Sequence, residues 1–354
     1  MLGVLAVTLT ACYLFMRFSH KQMPKIVKGE RIVIIGASSG IGYQTALRYA
    51  ARGARLLVVA RRKQLLDNLV SECLSFPSCT EATSLVADIT IEDDVKRISK
   101  TAKRVLGGCD TVVINAGVLS VLPFRDLCKL DGPEAEDEDS NGNSESGAQG
   151  EGWEKIAAGE DAATAPTQET GSGNTTSSVS ANMIDKMFKT NVLGPIYVAK
   201  FFTDLLIESS GKFVVVSSLA GVLAAPTRSI YTSTKFAITG FFTSLRIELA
   251  KHNVSVCIIY PGSVSTDLRN AAVDASPTPS SSSDAPSSPS PPLSTEPSSR
   301  KRITPEQCAD AIIRAADERA RETFVPGKYR VGAIVRPVLP GLIDYFAAKK
   351  YGYT

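Results

Sequence analysis

Short apolar runs alternate along the chain with longer segments whose apolar positions recur at helical spacing. Several of the runs are apolar throughout, which is typical of strands covered on both faces. This order predicts an α/β fold, a doubly wound parallel sheet with helices on both sides. Strands are predicted at 31–35, 55–60, 83–87, 111–114, 212–217 and 254–259, and helices at 41–52, 62–75, 91–106, 182–209 and 232–251.

The chain begins with an apolar segment that carries no charge from Leu2 to Met16. The segment is slightly shorter than the roughly 17 to 25 residues that span a bilayer as a helix, but snorkelling of Arg17 extends it to Phe18. Basic residues follow the segment rather than precede it, which indicates that the chain beyond it stays in the cytosol. We therefore expect residues 1–20 to anchor the protein in the endoplasmic reticulum membrane. A buried N-terminal helix is the alternative.

Two internal stretches lack the pattern of a packed core. Residues 129–181 are rich in Gly, Ser, Thr, Asp and Glu, and residues 271–300 are dominated by Ser and Pro. Such compositions bury too little apolar surface to offset the entropy of ordering, so both are predicted to be disordered insertions in a domain spanning 29–354. They are either segments that bind partners or accept phosphate, or tolerated surface insertions without a role in the chemistry.

Composition and charge fit this organisation. The chain has 354 residues and a formal charge of +3, which argues against a nucleic-acid binder. The segments 1–20, 129–181 and 271–300 carry +1, −10 and −2, so the remaining 251 residues form a single domain of charge +14. Such a body suits a phosphate-rich cofactor and an anionic membrane face. The seven cysteines form no closely spaced pairs and there are two histidines, so we expect no metal site.

A glycine-rich turn follows the first predicted strand. It reads Gly36-Ala37-Ser38-Ser39-Gly40-Ile41-Gly42 and leads directly into a predicted helix. Glycines there let the backbone turn tightly and approach a pyrophosphate, while the helix N-terminus supplies free N–H donors. The turn predicts a dinucleotide site, with an ordinary structural turn as the alternative.

Basic residues at the end of the second predicted strand refine the cofactor. The strand ends in Ala60-Arg61-Arg62, where an NAD-binding protein usually places a carboxylate. An arginine there suits a 2′-phosphate, so Arg61 favours NADP(H) over NAD, unless it is ordinary surface basicity. Asp88, after the third strand, either contacts the adenine or caps the following helix.

Tyr231 and Lys235 are four residues apart, which places both side chains on one face of a predicted helix. Ser218 precedes Tyr231 by thirteen residues and follows a predicted strand. With these residues the sequence resembles the short-chain dehydrogenase/reductase family, and it is similar to the membrane-anchored, hydroxysteroid dehydrogenase-like members. The resemblance rests on Gly36-x-x-x-Gly40-x-Gly42, Asn115-Ala116-Gly117, Thr190-Asn191-Val192-x-Gly194, Ser218, Tyr231-x-x-x-Lys235 and Pro261-Gly262-Ser263-Val264-x-Thr266.

The resemblance implies a Rossmann-type fold and a division of catalytic roles. Tyr231 would be the general acid or base for a carbonyl or alcohol, and Lys235 would stabilise its anion and hold the nicotinamide ribose. Ser218 would polarise the substrate oxygen, and Asn191 would support a water that relays protons. The expected catalytic residues are Asn191, Ser218, Tyr231 and Lys235, and the expected cofactor-binding residues are Gly36, Ser38, Ser39, Gly40, Ile41, Gly42, Arg61, Asp88, Asn115, Ala116, Gly117, Tyr231, Lys235, Pro261, Gly262, Val264 and Thr266.

The C-terminal part carries a helix start and an apolar tail. Thr304 and Pro305 predict the N-cap and first residue of a helix that runs to about Arg321. The tail 331–353 mixes apolar and basic residues. We expect it either to lie on a membrane or to cover the substrate cleft. The alternative is that it packs on the core or at a subunit interface, such as that of a homodimer.

We therefore expect an NADP-dependent oxidoreductase that interconverts a carbonyl and an alcohol on a lipophilic substrate, such as a steroid, retinoid or lipid, at a membrane. A ketosphinganine or other lipid ketone reductase is the alternative enzyme. A catalytically silent membrane scaffold that binds partners through the insertions is the alternative of another class.

Overall fold

Seven parallel strands form the centre of the protein in a computed structural model that describes residues 28–130, 178–266 and 302–353. Their order in the sheet is β3-β2-β1-β4-β5-β6-β7. The predicted α/β fold with a doubly wound parallel sheet is therefore confirmed. The strands are β1 (Arg31–Ile35), β2 (Arg55–Ala60), β3 (Glu81–Val86), β4 (Thr111–Ile114), β5 (Lys212–Val216), β6 (Ser255–Pro261) and β7 (Glu322–Val325).

Helices connect the strands and cover both faces of the sheet. The predicted anchor at 1–20 and nearly all of the two predicted insertions lie outside the described residues. The helices are α1 (Gly40–Ala51), α2 (Lys63–Leu74), α3 (Glu92–Leu106), α4 (Phe124–Leu127), α5 (Val179–Phe188), α6 (Gly194–Ser209), α7 (Ser229–Leu249), α8 (Pro305–Asp317), α9 (Tyr329–Val335) and α10 (Pro340–Tyr351).

Residues of one strand contribute alternately to two cores. Val33 and Ile35 of β1 pack with residues of α3, α6 and α7, whereas Ile32 and Ile34 pack with residues of α1, α2 and α8. Successive side chains of a strand point to opposite faces. The uninterrupted apolar runs in the sequence therefore correspond to strands that are buried on both sides.

The helix predicted at 182–209 differs from the observed one in two ways. It begins earlier, at Val179, inside the stretch predicted to be disordered, because the Ser178 side chain caps it by accepting a hydrogen bond from Ala181 N at 3.1 Å. It is also divided by one turn of π-helix at Lys189–Leu193. Such turns disturb the helical ladder locally and are common at functional sites.

The end of the chain contains elements that the sequence patterns missed. The helix α8 begins as predicted, with Thr304 and Gln307 forming a capping box, but it ends at Asp317 rather than near Arg321. The following residues form β7, which pairs in parallel with β6 and completes the sheet. Helices α9 and α10 follow, and among the described residues no helix is both long and apolar enough to cross a bilayer.

Candidate active site

The turn after β1 approaches the end of β4 so closely that only glycine fits. A Cβ added to Gly36, whose φ is +83°, would lie 2.5 Å from the backbone N of Ala116. A Cβ added to Gly42 would collide with Gly36 O and would lie 2.7 Å from Asn115 Nδ2. That amide also donates a hydrogen bond to Gly36 O at 2.9 Å. The turn is therefore a cradle made of backbone at the N-terminus of α1, as a pyrophosphate requires.

Two further predicted residues lie along this cradle. A Cβ on Gly40 would lie 3.0 Å from Cγ2 of Thr266, which places the turn after β6 against the glycine-rich turn. Gly117 follows β4 and leaves a space beside two polar side chains. A Cβ added to Gly117 would lie 3.2 Å from Asn191 Oδ1 and 3.6 Å from Lys235 Nζ. The glycine-rich cradle, which is the nucleotide end of the site, and the predicted catalytic residues, which form its chemical end, thus meet at Gly117.

The turn after β6 is held by the neighbouring strand. Gly262 N donates to Val325 O at 2.8 Å, and Pro261 is paired with Val325 in the sheet. Val264 forms an isolated parallel bridge with Ile303. The contacts with Val325 use β7 to position the segment that carries the expected cofactor-binding residues Pro261, Gly262, Val264 and Thr266.

The basic end of the cradle is formed by two arginines. Arg61 lies 3.6 Å from the Asp88 carboxylate and is exposed. Arg62, which sequence reasoning did not single out, donates hydrogen bonds to Ser38 Oγ at 2.9 Å and to Ser39 Oγ at 3.0 Å. The Arg62 guanidinium therefore lies against the serines of the glycine-rich turn, while the preceding Arg61 pairs with Asp88.

Asp88 has a structural role that resembles the second of its two predicted alternatives, capping of the following helix. Its carboxylate accepts hydrogen bonds at 2.9 Å from the backbone N and the hydroxyl of Thr90. The N-cap of α3 is Ile91, so Asp88 closes the turn before the helix rather than capping the helix itself. The predicted contact with the adenine stays a prediction.

Tyr231 and Lys235 are both buried on the first turns of α7, 9% and 5% exposed. Lys235 Nζ lies 5.7 Å from the centre of the Tyr231 ring and 3.4 Å from Val216 O, which accepts its hydrogen bond. Ser218 follows β5 and lies beside the Tyr231 side chain, whose pKa it lowers. The expected triad of Ser218, Tyr231 and Lys235 is thus brought together at the carboxyl end of β5.

Burial dominates the electrostatics of these groups. It raises the pKa of Tyr231, against the opposing effects of the Ser218 hydrogen bond and the Arg228 charge, which lower it. Burial also lowers the pKa of Lys235 to about 8. At neutral pH the phenol therefore carries its proton, while most Lys235 side chains are still charged.

Asn191 is fixed by the π-helical turn. It is 1% exposed, and its side chain accepts from Val118 N at 2.8 Å and donates to Val118 O at 2.9 Å. It also donates to Thr234 Oγ1 at 3.1 Å. Thr234 in turn donates to Tyr231 O at 2.7 Å, so this threonine joins Asn191 to α7. The motif spacing gives no signal for Thr234, because its role arises only when the two helices meet.

A mostly apolar cleft opens beside Tyr231. It is bounded by the segment after β4, by α5 and by the start of α7, and Arg228 is its charged member. The lining residues are Ser120, Leu122, Leu127, Met183, Ile184, Met187, Arg228, Ile230 and Tyr231. Apart from Tyr231, sequence reasoning identified none of them, because they lie outside the recognised motifs. No group of metal-ligating side chains is found in the described part of the chain.

Comparison with known proteins gives a consistent family assignment. The family model described as short chain dehydrogenase matches residues 30–134 and 164–276. The chain is 30% identical to a hydroxysteroid 11-beta-dehydrogenase 1-like protein of Danio rerio, over 68% of this chain and 66% of that protein. It is 28% identical to an uncharacterized oxidoreductase of Bacillus subtilis, over 92% and 73%. The match to the Danio rerio relative thus spans about two thirds of its length.

Solved structures share the fold. An alcohol dehydrogenase from the archaeon Thermococcus sibiricus, complexed with 5-hydroxy-NADP, superposes with a TM-score of 0.56 at 20% identity. The match covers 83% of this chain and 94% of that one. At this identity the similarity shows the same doubly wound architecture.

Replacing Gly36 by Ala should abolish binding of the nicotinamide cofactor, because the added methyl group would displace the turn from Ala116. Gly107→Ala is the matched control, since Gly107 also has a positive φ, +76°, but has no atom within 4 Å of an added Cβ. The control should lose about 1–2 kcal/mol of stability and keep its affinity. Cofactor titration and chemical unfolding measure both effects; equal loss of affinity in the two variants would refute the cradle.

Proposed function

Because the chain belongs to the short-chain dehydrogenase family of oxidoreductases acting on CH–OH groups, we propose that it interconverts a ketone or aldehyde and an alcohol on a lipophilic substrate with NADP(H). The observation that carries the proposal is the position of Tyr231. Its buried phenol lies beside Ser218 and Lys235 and faces a mostly apolar cleft.

In the reducing direction Tyr231 donates its proton to the carbonyl oxygen of the substrate. The raised pKa keeps that proton on the phenol at neutral pH, so the donor is ready before the substrate arrives. Ser218 holds the same oxygen by hydrogen bonding and polarises the carbonyl. The positive charges of Lys235 and Arg228 stabilise the phenolate that remains after proton transfer.

The proton lost from Tyr231 is replaced through neighbouring polar groups. Asn191 Oδ1 and Lys235 Nζ both face the space above Gly117. This arrangement supports a path from solvent to Lys235 and on to Tyr231. In the oxidising direction the same groups remove the proton from the alcohol.

The residues present fit a nicotinamide dinucleotide. Gly36, Gly40 and Gly42 provide the backbone cradle, and Lys235 with the turn after β6 would hold the nicotinamide half. When bound, the nicotinamide supplies or accepts the hydride. Arg62 beside Ser38 and Ser39, together with the exposed Arg61 next to it in the chain, supports a 2′-phosphate and hence NADP rather than NAD.

The substrate class is supported by the cleft. Leucine, isoleucine and methionine side chains make up most of its lining, and Ser120 and Tyr231 add hydroxyl groups. Such a cleft favours steroid-, retinoid- or lipid-like ketones, including long-chain keto-lipids of the ketosphinganine type. Relatives named as hydroxysteroid 11-beta-dehydrogenase-like proteins are consistent with this class.

Tyr231→Phe should lower kcat for ketone reduction by about 10²–10⁴-fold, because the general acid is lost. NADPH affinity should be unchanged. Tyr49→Phe is the matched control, since the buried Tyr49 hydroxyl has no hydrogen-bond partner among the described residues. Steady-state kinetics with a set of steroid, retinoid and long-chain ketones provides the measurement. Full activity of Tyr231→Phe would exclude the mechanism, and absence of NADPH binding in the unaltered protein would favour a scaffold.

Arg61→Ala and Arg62→Ala should each weaken NADPH binding by roughly 10- to 100-fold, since each removes a charged contact to the 2′-phosphate. NADH affinity should change little. Arg48→Ala is the control, because Arg48 pairs with Asp310 on α8, away from the turn. Calorimetric titration of both cofactors distinguishes the outcomes. Parallel losses for NADH and NADPH would contradict the preference for NADP.

We also propose that residues 1–20 anchor the protein in the endoplasmic reticulum with its catalytic body in the cytosol. The support is the uncharged run from Leu2 to Met16 and the basic residues after it. Protease added to intact microsomes should then digest the catalytic body. Full protection of the body until detergent is added would place it in the lumen and reject this orientation.

A further inference from the structure

Helices α9 and α10 expose an unusually apolar surface next to the cleft. We call it the carboxyl-terminal face. Its large side chains are between 45% and 70% exposed, although they follow one another within sixteen residues. The residues that define it are Val331, Ile334, Val338, Leu339, Leu342 and Phe346.

The exposure follows from how the two helices are attached. In α10, Ile343, Ala347 and Tyr351 are half-buried and recur every four residues, so one side of the helix is turned toward the protein. Leu342 and Phe346 lie on a neighbouring side of the helix that is exposed. In α9, Tyr329 and Ala333 pack against the main core, which leaves Val331 and Ile334 directed outward. The carboxyl-terminal face is thus the outer side of helices that are already docked.

The attachment is specific and lies beside the active site. Arg336 Nη1 donates to Val222 O at 3.0 Å, and the Arg336 guanidinium lies 4.9 Å from the centre of the Phe236 ring. The Arg228 guanidinium, which lines the cleft, lies 5.8 Å from the centre of the Tyr351 ring. These contacts hold the carboxyl-terminal face near the mouth of the cleft.

The charges around the carboxyl-terminal face indicate which kind of surface it binds. Between residues 328 and 351 there are five basic residues and one acidic residue, Asp344. The basic residues lie mostly at the two ends of the segment, with Lys328 and Arg330 before the apolar residues and Lys349 and Lys350 after them. An apolar centre with basic margins matches the acyl boundary and anionic headgroups of a bilayer. A second copy would instead bring like charges together.

From these observations we infer that the carboxyl-terminal face docks on the surface of an anionic bilayer and keeps the cleft mouth at the membrane. This contact is separate from the proposed anchor and does not depend on catalysis. If the proposed function is also correct, a lipophilic substrate can pass between the bilayer and Tyr231 without crossing water.

The contact can be tested in the full chain by tryptophan quenching. The chain has one tryptophan, Trp153, so a Trp153→Phe background carries Phe346→Trp as the probe. Ile247→Trp is the matched control, because Ile247 is 71% exposed but lies about 24 Å along α7 from Tyr231. Both proteins are reconstituted into vesicles of brominated phosphatidylcholine, with and without phosphatidylserine.

With phosphatidylserine, the tryptophan at 346 should lose its emission to the brominated chains, whereas the tryptophan at 247 should not. Lys349→Gln with Lys350→Gln should shift the docking equilibrium about 25-fold toward the free state, since each lysine near an anionic surface strengthens binding about five-fold. Equal quenching of the two probes, or none at 346, would overturn the inference. A third outcome is that protection of the tryptophan at 346 from quenching increases with the protein-to-lipid ratio and does not depend on phosphatidylserine. That outcome would overturn the inference and assign the face to a contact with a second copy of the chain.

Discussion

Strands β1 and β4 are paired side by side, yet the chain leaves them toward opposite faces of the sheet, to α1 on one side and α6 on the other. A crevice must open between these connections at the carboxyl edge. In this protein the floor of the crevice is backbone, because Gly36 approaches Ala116 too closely for any side chain and the Asn115 amide ties the two segments together. The remaining functional groups are arranged around this contact. Gly117, immediately after it, is where Asn191 and Lys235 approach each other.

The chemical end of the site depends on a compromise between burial and charge. Burial raises the pKa of Tyr231, which is protonated at neutral pH as any ordinary tyrosine is, but it also lowers the pKa of Lys235 to about 8 and so weakens the charge that would stabilise a phenolate. The polar contacts of the site oppose this desolvation. Ser218 and Arg228 act on Tyr231 directly, and Val216 O accepts a hydrogen bond from Lys235. The phenol therefore keeps its proton at neutral pH, while the Ser218 and Arg228 contacts favour the anion that proton donation would leave.

Sequence patterns predicted the fold well where burial alone determines the structure. The apolar runs of β1, β2 and β6 are covered on both faces, and their positions were found to within two residues. Predictions were less accurate where a tertiary contact decides. Strand β7 begins with Glu322 and Thr323 and is a strand because β6 offers an edge. The π-helical turn at Asn191 replaces one regular helical turn, and its reason is the pair of hydrogen bonds to Val118, 73 residues away. Arg62 and Thr234 were missed for the same reason, since their partners are distant in the chain.

Substrate recognition is less readable from the sequence than the chemistry, and the topology explains why. Motif residues such as Gly36, Asn115 and Gly262 directly follow strands, so the sheet positions them. The cleft residues Leu127, in α4, and Met183, in α5, instead lie on either side of the first of the two stretches of low-complexity composition. Thr266, five residues before the other stretch, lies against Gly40. Both stretches therefore join the fold at the carboxyl edge, where connecting segments vary most freely without cost to the core. The cofactor cradle is thus held at the ends of strands, whereas most residues that line the cleft lie on α4, on α5 and in the segments beside them.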